Sequence, residues 1–391
     1  MGARHTALKK SSILECNYLV GIVGTFDHDY GSDVTHFALY RALCDEGYAT
    51  LVIGCPEDAP CRQGSRESAF SSFMFPPYSS RDMECAHPNK ESMIQINKKC
   101  ESFILVDDLS LMPSNVWRHG NHGYLGWVRT NRRKIAYAAS FGGDSLKSKC
   151  TRHQKAEMSF FLKRFDSFSV GERSATDLSR NELGIESEFV LSPIFLCRPE
   201  HYLRMSMLGK GRMPKGKFMG SYLHTPKVWK ADLVRSVSKR LGLDEVNVLP
   251  MGTNPEEEWK FHTLENVRTE EWIASIVNCE FLVTDSFHAI CFAIIFKRQF
   301  IALFDDETDI RVKDILDMAG LAGRIIKVTD GIEPGESSFT HIDYSAVDDA
   351  LDVEIERSRK WLLDSISRQR KIALKEYDLI MDSVLGDRKM V

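Results

Sequence analysis

Ionisable and hydroxyl side chains stand between a predicted strand and a predicted helix at residues 284–288. The apolar run Phe281–Thr284 predicts a buried strand, Asp285 and Ser286 follow it, and an apolar helix begins at once. In open α/β sheets, ligands bind at the C-terminal edge of the strands, and a helix N-terminus offers unpaired N–H groups to an anion. His288 is therefore a candidate general acid or base, since the ordinary pKa of histidine lies near neutrality. The alternatives are a buried histidine bonded to a backbone carbonyl and, for Asp285, a helix cap or a loop brace.

Two arginines could supply guanidinium donors for a carboxylate or a phosphate. The predicted strand 166–170 is followed by Gly171-Glu172-Arg173-Ser174, which opens a helix, so Arg173 stands at a helix start. The alternative, a solvated arginine paired with Glu172, is slightly favoured by the sequence. Arg311 follows the acidic segment 305–309, which is typical of a solvated loop, and it could hold a phosphate from the edge of a cleft.

The segment Asp27-His28-Asp29-Tyr30-Gly31-Ser32 gathers acids, a histidine and an aromatic ring after the first predicted strand. Such side chains suit the hydroxyl groups and ring faces of a sugar. A turn capped by Ser32 explains the same residues equally well. The Asp-x-Asp pair also occurs in divalent-cation sites, but no third acid or histidine follows at a useful spacing, so no metal is expected.

Length and composition indicate a globular protein of about two domains. Of 391 residues, 43% are apolar and 27% are charged, which excludes a disordered chain and a membrane bundle. Lys and Arg number 51 against 55 Asp and Glu, a formal charge of −4, so no nucleic-acid partner is expected. Short runs rich in Val, Ile and Phe alternate with segments of helical period, which predicts an α/β fold with mostly parallel sheets.

The alternation is interrupted at residues 198–216, where a basic stretch with glycines and prolines predicts a linker. It separates an N-terminal α/β domain at 1–197 from a C-terminal α/β domain at 217–342. We expect a cleft between the two. Residues 343–391 are predicted to form an amphipathic helical segment that packs across the sheets. For 198–216 a flexible connection is favoured, and the alternative is contact with anionic lipid headgroups or an acidic glycan.

The expected location is the cytoplasm. The apolar stretch 289–296 is far shorter than the roughly 18 to 20 residues of a spanning helix, and the N-terminus lacks an apolar signal region. Ten cysteines without a C-x-x-C pair indicate reduced thiols and not a disulfide framework. A peripheral contact with the inner face of the membrane is compatible with these observations.

Five segments, in the same order along the chain, resemble those of the polysaccharide pyruvyl transferase family. They are Asp29-Tyr-Gly-Ser32, Ile135-Ala-Tyr-Ala-Ala-Ser-Phe-Gly142, Phe165-Asp-Ser-Phe-Ser-Val-Gly-Glu-Arg-Ser174, Thr284-Asp-Ser-Phe-His-Ala289 with Glu271-Trp272 upstream, and Ile310-Arg311 before residues 316–324. The Thr-Asp-Ser-Phe-His stretch with its flanking strand and helix is the most specific of them.

The resemblance implies a glycosyltransferase-B-like pair of α/β domains that transfers the enolpyruvyl carbons of phosphoenolpyruvate to two hydroxyls of a cell-surface saccharide precursor. It also implies that the N-terminal domain is the acceptor side and the C-terminal domain the donor side. A ketal forms and phosphate is released, with phosphoenolpyruvate as the donor substrate, no cofactor, and a saccharide acceptor that could be lipid-linked. His288 matches the family's histidine, and on this hypothesis His288 and Asp285 are catalytic while Arg173 and Arg311 hold anions. The other expected substrate contacts are Ser140, Glu172, Ser286, Asp27, Asp29, Tyr30 and Ser32.

Four positions depart from the pattern that the family commonly shows. Gly171 stands in Ser169-Val-Gly-Glu172 where the family has an arginine, which Arg173 would have to replace from two residues later. Ser192-Pro193 replaces Asp-Pro, Ala289 replaces a glycine, and Val106-Asp-Asp-Leu109 replaces a Gly-Ser-Asp-Gln loop. A lost arginine removes a charge-assisted hydrogen bond worth roughly 1.5 to 3 kcal/mol.

Two other functions are compatible with the same residues. A nucleotide-sugar-dependent glycosyltransferase of this fold would be stabilised thermally by a nucleoside diphosphate and not by phosphoenolpyruvate. A non-catalytic relative that binds a glycan or a partner enzyme would be indifferent to phosphoenolpyruvate and would associate stably with another glycan enzyme.

Overall fold

The structure is a computed structural model that describes residues 19–24, 30–54, 90–106, 111, 123–143, 145–146, 149–250, 259, 263–264, 267–305, 309–327 and 334–367. It contains two six-stranded parallel sheets flanked by helices. The predicted fold class, α/β with two Rossmann-like units, is therefore confirmed.

The N-terminal sheet is built from β1 (Leu19–Gly24), β2 (Ala49–Gly54), β3 (Cys100–Leu105), β4 (Arg133–Ala139), β5 (Ser167–Val170) and β6 (Glu188–Phe189). The strand order is β2-β1-β3-β4-β5-β6, and all pairings are parallel. The α-helices described for this half are α1 (Tyr30–Asp45), α2 (Lys90–Lys99), α3 (Arg152–Leu162) and α4 (Ser174–Leu178). Gly47 adopts a φ of 85° and ends the turn after α1, as a glycine at this place predicts.

The C-terminal sheet is built from β7 (Phe218–Tyr222), β8 (Asp244–Val248), β9 (Thr263–Leu264), β10 (Phe281–Thr284), β11 (Gln299–Phe304) and β12 (Ile325–Lys327). Its order is β12-β11-β10-β7-β8-β9, again with parallel pairings. Between Lys210 and Tyr344, the α-helices of the described ranges are α6 (Val228–Leu241), α7 (Thr269–Asn278), α8 (Phe287–Ile295) and α9 (Ile310–Met318).

The stretch predicted to be an irregular linker contains a helix, α5 (Pro199–Gly209), which packs against α7. Pro199 occupies the first helical turn, where its missing N–H costs nothing. A Cβ atom on Gly209 would lie 2.3 Å from the backbone oxygen of Glu270, so the glycine permits close helix packing. The prediction of an irregular linker is wrong because Pro199 starts a helix and Gly209 allows two helices to pack closely. The division of the chain into two domains at this stretch stays a prediction.

The last described element, α10 (Tyr344–Ser367), connects the two halves of the molecule. The Tyr344 hydroxyl donates to the backbone oxygen of Ala293, in α8 of the C-terminal half. Further along, the Oγ of Ser358 accepts a hydrogen bond of 2.9 Å from the backbone N–H of Leu191, at the N-terminal sheet. The residues that form the predicted apolar stripe are buried or half-buried at Val347, Leu351, Ile355, Leu362, Leu363 and Ile366. Among the described helices, none combines the length and the apolar content that crossing a membrane requires.

One apolar cluster spans both halves. Tyr30, from α1, stacks on Trp272, from α7, with ring centroids 5.2 Å apart. Tyr202, from α5, lies 5.9 Å from Phe37 and packs edge-on against Phe292 at 4.9 Å. These aromatic contacts join helices of the N-terminal half to helices of the C-terminal half. They thereby hold the C-terminal edges of the two sheets in a defined position relative to each other.

Thr225 and Thr269 are hydroxyl residues near helix starts, where such residues often cap, but neither caps its helix. α6 begins at Val228 with Lys227 as its cap residue, so Thr225 and Pro226 precede the helix and do not start it. Thr269 is the first residue of α7 and not its cap, and its hydroxyl donates instead to Asp33 at 2.8 Å. In both cases a tertiary contact uses the hydroxyl that local sequence assigns to a cap.

Candidate functional site

The two sheets approach each other where Gly171 meets Arg311. Gly171 follows β5, and Arg311 is the buried second residue of α9. A Cβ atom on Gly171 would lie 3.7 Å from Cδ of Arg311 and 3.0 Å from the backbone oxygen of Ala138. The Arg311 side chain therefore lies within van der Waals distance of position 171, at the C-terminal edge of the N-terminal sheet.

Arg311 is oriented by groups of the C-terminal half. Its Nε lies 2.9 Å from Oδ2 of Asp309, which also caps α9 by accepting the Arg311 backbone N–H. Its guanidinium carbon lies 4.3 Å from the ring centre of Phe287, a cation–π distance. Phe287 is the first residue of α8 and precedes His288. The guanidinium thus stands beside the helix start that carries the candidate histidine.

Glu172 is fully buried at the same edge. Its Oε1 accepts hydrogen bonds from the Ser140 hydroxyl at 2.9 Å and the Phe141 backbone N–H at 3.0 Å. Its Oε2 has no hydrogen-bond partner among the described residues. Burial raises the pKa of Glu172 to about 7, although the charge of Arg311 and the bond from Ser140 act in the opposite direction. A carboxyl in this state can hold a proton near neutral pH.

Ser140 reaches Glu172 after an irregularity at the end of β4. The register between β4 and β5 shifts between Ala136 and Ala139, and Ala138 has a φ of 48°, in the left-handed region that disfavours L side chains. Bulges of this kind redirect the side chains that follow them. The predicted site residues Ser140 and Glu172 are therefore brought together, with Ser140 acting on the carboxyl.

Arg173 also lies between the two halves, but on the solvent side. It is exposed, its backbone N–H donates to Oδ2 of Asp314 at 2.9 Å, and its guanidinium lies 5.2 Å from the ring centre of Phe189. No ion pair joins it to Glu172 in the described part of the chain. An open groove of about 360 Å³ is lined by Arg173, Lys313, Asp314, Asp317 and Met318. Neither Arg311 nor His288 lines this groove.

Asp285 belongs to a buried charged cluster centred on Lys230. Its Oδ2 lies 2.7 Å from the Lys230 Nζ, and the same nitrogen is 3.1 Å from Oδ2 of Asp305. Asp285 also accepts hydrogen bonds from the His224 backbone and the Thr225 hydroxyl. These contacts agree with the alternative that Asp285 braces a loop. Within the described ranges, no group of three or more His, Cys, Asp or Glu side chains could hold a metal ion.

His288 is the second residue of α8 and is 9% exposed. Ser286 caps this helix by accepting the backbone N–H of Ala289 at 3.4 Å, so its hydroxyl has a structural partner. The imidazole meets the Phe287 ring edge-on at 5.4 Å, and Arg311 contacts the same ring. The structure thus brings one cation, Arg311, next to the helix start that carries His288. The role of the imidazole stays a prediction.

Tyr30 and Ser32 do not occupy the positions expected of sugar contacts. Tyr30 is buried, with its ring on Trp272 and its hydroxyl donating to the Val267 backbone oxygen at 3.1 Å. A ring enclosed in this way offers no face to a saccharide. Ser32 is buried inside α1, which begins two residues earlier than the predicted cap. Asp27 and Asp29 lie outside the described residues.

Sequence analysis missed two residues that organise the site. Lys230 stands in the amphipathic helix α6, where a lysine usually faces solvent, but it is buried. The ends of β7, β10 and β11 surround it, and these three strand ends meet only in the folded chain. Asp309 was assigned to a solvated acidic segment. An aspartate directly before a helical segment is a capping signal, and this signal could have identified it.

The chain matches the sequence model of a known protein family. The sequence model described as "Polysaccharide pyruvyl transferase" matches residues 78–303, more than half of the 391 residues. The chain belongs to the polysaccharide pyruvyl transferase family. This confirms the resemblance found in the motifs, and the matched range of this pyruvyl transferase family member contains Ser140, Glu172 and His288. No curated protein sequence matches the chain.

Several solved structures resemble this pyruvyl transferase family member at low sequence identity. UDP-GlcNAc 2-epimerase from Neisseria meningitidis, bound to UDP-GlcNAc, has a TM-score of 0.49 at 9% identity, over 95% of this chain and 100% of the epimerase. The epimerase from Methanocaldococcus jannaschii has a TM-score of 0.48 at 13% identity, over 94% and 99%. The E. coli heptosyltransferase WaaC with ADP has a TM-score of 0.37 at 14% identity, over 86% and 99%. The family assignment rests on the sequence match and not on these structures.

Proposed function

We propose that this chain transfers a pyruvyl group from phosphoenolpyruvate to two hydroxyls of a saccharide, forming a cyclic ketal and releasing phosphate. Membership of the family supports a transferase that acts in polysaccharide biosynthesis. The observation that carries the proposal is the meeting of Arg311 and Glu172, one from each half, beside the helix that carries His288. A cation for the donor's anionic groups and a carboxyl able to hold a proton are then available at one edge.

The reaction sets the requirements of the site. The methylene carbon of phosphoenolpyruvate takes up a proton, and one saccharide hydroxyl attacks the oxocarbenium-like carbon that results. The bond to phosphate then breaks, and a bond to the second hydroxyl replaces it. The two hydroxyl protons end on the new methyl group and on phosphate. The site must therefore supply an acid, a base and cationic donors.

We assign the proton transfers to His288 and Glu172. Because the pKa of Glu172 is raised to about 7, this carboxyl can exist in both protonation states near neutral pH. Its Oε1 is held by Ser140 and Phe141, which leaves Oε2 as the oxygen that can exchange a proton. Asp285, whose oxygens already bind Lys230 and the loop after β7, is assigned a positioning role.

We assign the donor's carboxylate or phosphate to Arg311, whose buried guanidinium is held in place by Asp309 and Phe287. Arg173 and Lys313, at the groove between the halves, would guide an anion from solvent. The proposed acceptor is a lipid-linked or nucleotide-linked precursor of a cell-surface glycan such as an exopolysaccharide. The proposed reaction is cytoplasmic and uses no cofactor.

The experiment is phosphate release from phosphoenolpyruvate with cell-derived lipid-linked or nucleotide-linked glycans as acceptors, together with mass spectrometry of the product. We expect His288→Ala to lower turnover by about 10²- to 10⁴-fold, the usual loss for a general acid or base. The matched control is His153→Ala on α3, an exposed histidine whose replacement should leave turnover unchanged. Wild-type turnover in His288→Ala would disprove its assigned role.

Thermal stability with candidate ligands separates the other functions. Stabilisation by phosphoenolpyruvate supports the proposal, since a ligand that binds only the folded state raises the melting temperature. Stabilisation by a nucleoside diphosphate alone would indicate a nucleotide-sugar glycosyltransferase. Indifference to both ligands, with stable association to another glycan enzyme, would indicate a non-catalytic relative.

A further inference from the structure

The outer face of α5 exposes a cluster of apolar side chains. Met207 is 70% exposed, Leu208 46% and Leu203 38%. The described part of the chain has seven exposed large apolar side chains, and three of the seven lie between positions 203 and 208. Single exposed apolar residues are ordinary on soluble proteins, whereas a cluster on one helix face marks a contact surface.

The inner face of α5 is fixed to the rest of the molecule. Tyr202 packs between aromatic rings of both halves, and its hydroxyl donates to the Ile194 backbone oxygen at 3.0 Å. Gly209 lies against the backbone of α7. Because this face is anchored, Leu203, Met207 and Leu208 cannot turn inward without unfolding the helix. α5 is therefore a rigid platform that presents apolar groups to its surroundings.

Basic side chains surround these apolar groups. Arg204 shares the helix face, and Lys210 and Lys215 follow the helix; all three are exposed. Among the described residues, none of the three is engaged in an ion pair. Glu200 is the single acidic residue between positions 198 and 217. The region thus carries a local positive charge on a chain whose formal charge is −4.

We propose that this α5 surface, formed by Leu203, Arg204, Met207, Leu208, Lys210 and Lys215, docks on the anionic face of a lipid bilayer. The apolar side chains enter the boundary between headgroups and acyl chains, and the basic side chains contact anionic headgroups. The negative charge of the remaining chain opposes other orientations. The proposal does not depend on the reaction that the chain catalyses.

Two other occupants fit these observations less well. A second copy of the chain would place one basic surface against another if the contact were symmetric, which costs free energy through like-charge repulsion. A soluble acidic glycan matches the lysines, but it has no apolar part to cover Met207, Leu208 and Leu203. An anionic bilayer satisfies both the charge and the apolar character of the surface.

The experiment is flotation of the full chain with vesicles of phosphatidylcholine alone and of equal parts phosphatidylcholine and phosphatidylglycerol. We expect binding to the mixed vesicles only, with release by salt, because the screening length falls from about 10 Å at 0.1 M to about 3 Å at 1 M. Lys210→Gln/Lys215→Gln should weaken binding about 25-fold, at about fivefold for each basic residue. The matched control is Lys98→Gln/Lys99→Gln at the end of α2, two exposed lysines that should leave binding unchanged.

The apolar contribution is tested with Leu203→Gln/Met207→Gln/Leu208→Gln. We expect loss of at least tenfold in vesicle binding, while Val353→Gln, at a side chain of equal 70% exposure on α10, has no effect. Circular dichroism and sedimentation velocity establish that each variant is folded and report its oligomeric state.

Three outcomes would overturn the proposal. The first is absence of binding to the mixed vesicles, or an equal loss in the control variants. The second is binding to soluble dextran sulfate that depends on Lys210 and Lys215 and persists in the triple apolar variant, without vesicle binding. The third is a change of oligomeric state in the triple variant with no change in vesicle binding, which would make the surface an interface between two copies.

Discussion

The side chain of Arg311 lies against position 171, with its Cδ 3.7 Å from the point where a Cβ atom of residue 171 would stand. The contact joins the edge of the N-terminal sheet to α9 of the C-terminal half. The motif resemblance predicts an arginine at this position in other members of the family. In this chain, a guanidinium group therefore reaches the same edge from the opposite half.

Gly171→Arg should disturb the site although it introduces the residue that the motif resemblance predicts for the family. The new side chain would displace Arg311 from Asp309 and Phe287, and we expect phosphoenolpyruvate to bind at least about tenfold more weakly, as for the loss of one charge-assisted hydrogen bond. Binding is measured by isothermal titration calorimetry. Gly171→Ala is the control, because its methyl group needs a shift of only a few tenths of an ångström from the Ala138 oxygen.

A double variant makes this prediction specific. Arg311→Ala alone removes the guanidinium, whereas Gly171→Arg/Arg311→Ala supplies one from the other half without a steric conflict. We expect the double variant to bind phosphoenolpyruvate more tightly than Arg311→Ala. Equal affinities in the two would show that a guanidinium from position 171 cannot reach the donor.

Glu172 should make stability fall as pH rises. Its pKa is about 7 in the folded chain, raised mainly by burial, against an ordinary value of 4.5. Below pH 4.5 the carboxyl is protonated in both states and contributes nothing. Between the two pKa values the unfolded state releases its proton first, so the folded state loses stability until about pH 7, by roughly 3 kcal/mol at most.

Glu172→Gln should remove this loss and be more stable than the wild type above pH 7, measured by urea unfolding at about pH 5 and about pH 8. Glu182→Gln is a control of opposite sign. Burial raises the pKa of Glu182, but hydrogen bonds from Lys155, Leu146 and Ser145 lower it by more. The pKa of Glu182 is therefore below its ordinary value. That carboxylate stabilises the fold above its ordinary pKa, and its replacement should destabilise near pH 8. A pH-independent effect of Glu172→Gln would contradict the raised pKa.

Local patterns predicted the elements that carry the site. The apolar run Phe281–Thr284 is β10, with the bounds expected, and the apolar helix follows as predicted. The cap of that helix is Ser286 and not Asp285. Strand 166–170 and the helix after it are also present within one residue. Where a segment is short, apolar and bounded by polar residues, its periodicity is enough to define both its type and its ends.

Contacts between distant segments could not be predicted in the same way. α5 has the composition of a linker because its proline and glycine serve a helix start and a helix crossing. Lys230 is buried only because Asp285 and Asp305 arrive from two other strand ends. Tyr30 is in the core because it meets Trp272, which lies 242 positions further along the chain. In each case the decisive partner is absent from the local sequence.

Tyr30→Phe separates a packing role from a saccharide contact. The substitution keeps the ring on Trp272 and removes the hydroxyl that donates to the Val267 backbone oxygen. We expect a loss of about 0.5 to 1.5 kcal/mol in the free energy of unfolding, with an unchanged KM for the saccharide. Chemical denaturation and steady-state kinetics measure the two. A raised KM with unchanged stability would restore the predicted sugar contact.

Lys230→Met should be among the most destabilising single substitutions in the C-terminal half. It leaves Asp285 buried beside the loop after β7 without the ammonium that lies 2.7 Å from its Oδ2. Breaking a buried pair by removing one partner typically costs about 3 to 5 kcal/mol. The control is Lys360→Met, which breaks an exposed helical pair with Asp364 and should cost about 0.5 kcal/mol or less. Urea unfolding of the two variants gives the comparison.

A second substitution tests whether the cost arises from the uncompensated charge. Lys230→Met/Asp285→Asn removes both members of the pair, and we expect it to be more stable than Lys230→Met, because no charge is then left unpaired at Asp285. Turnover should stay low in the double variant, since Lys230 connects the strand end that leads to His288 with the strand end that leads to Arg311. Recovery of stability without recovery of turnover would distinguish this positioning role from a general contribution to folding. Full turnover in the double variant would show that the ammonium does not align the two strand ends.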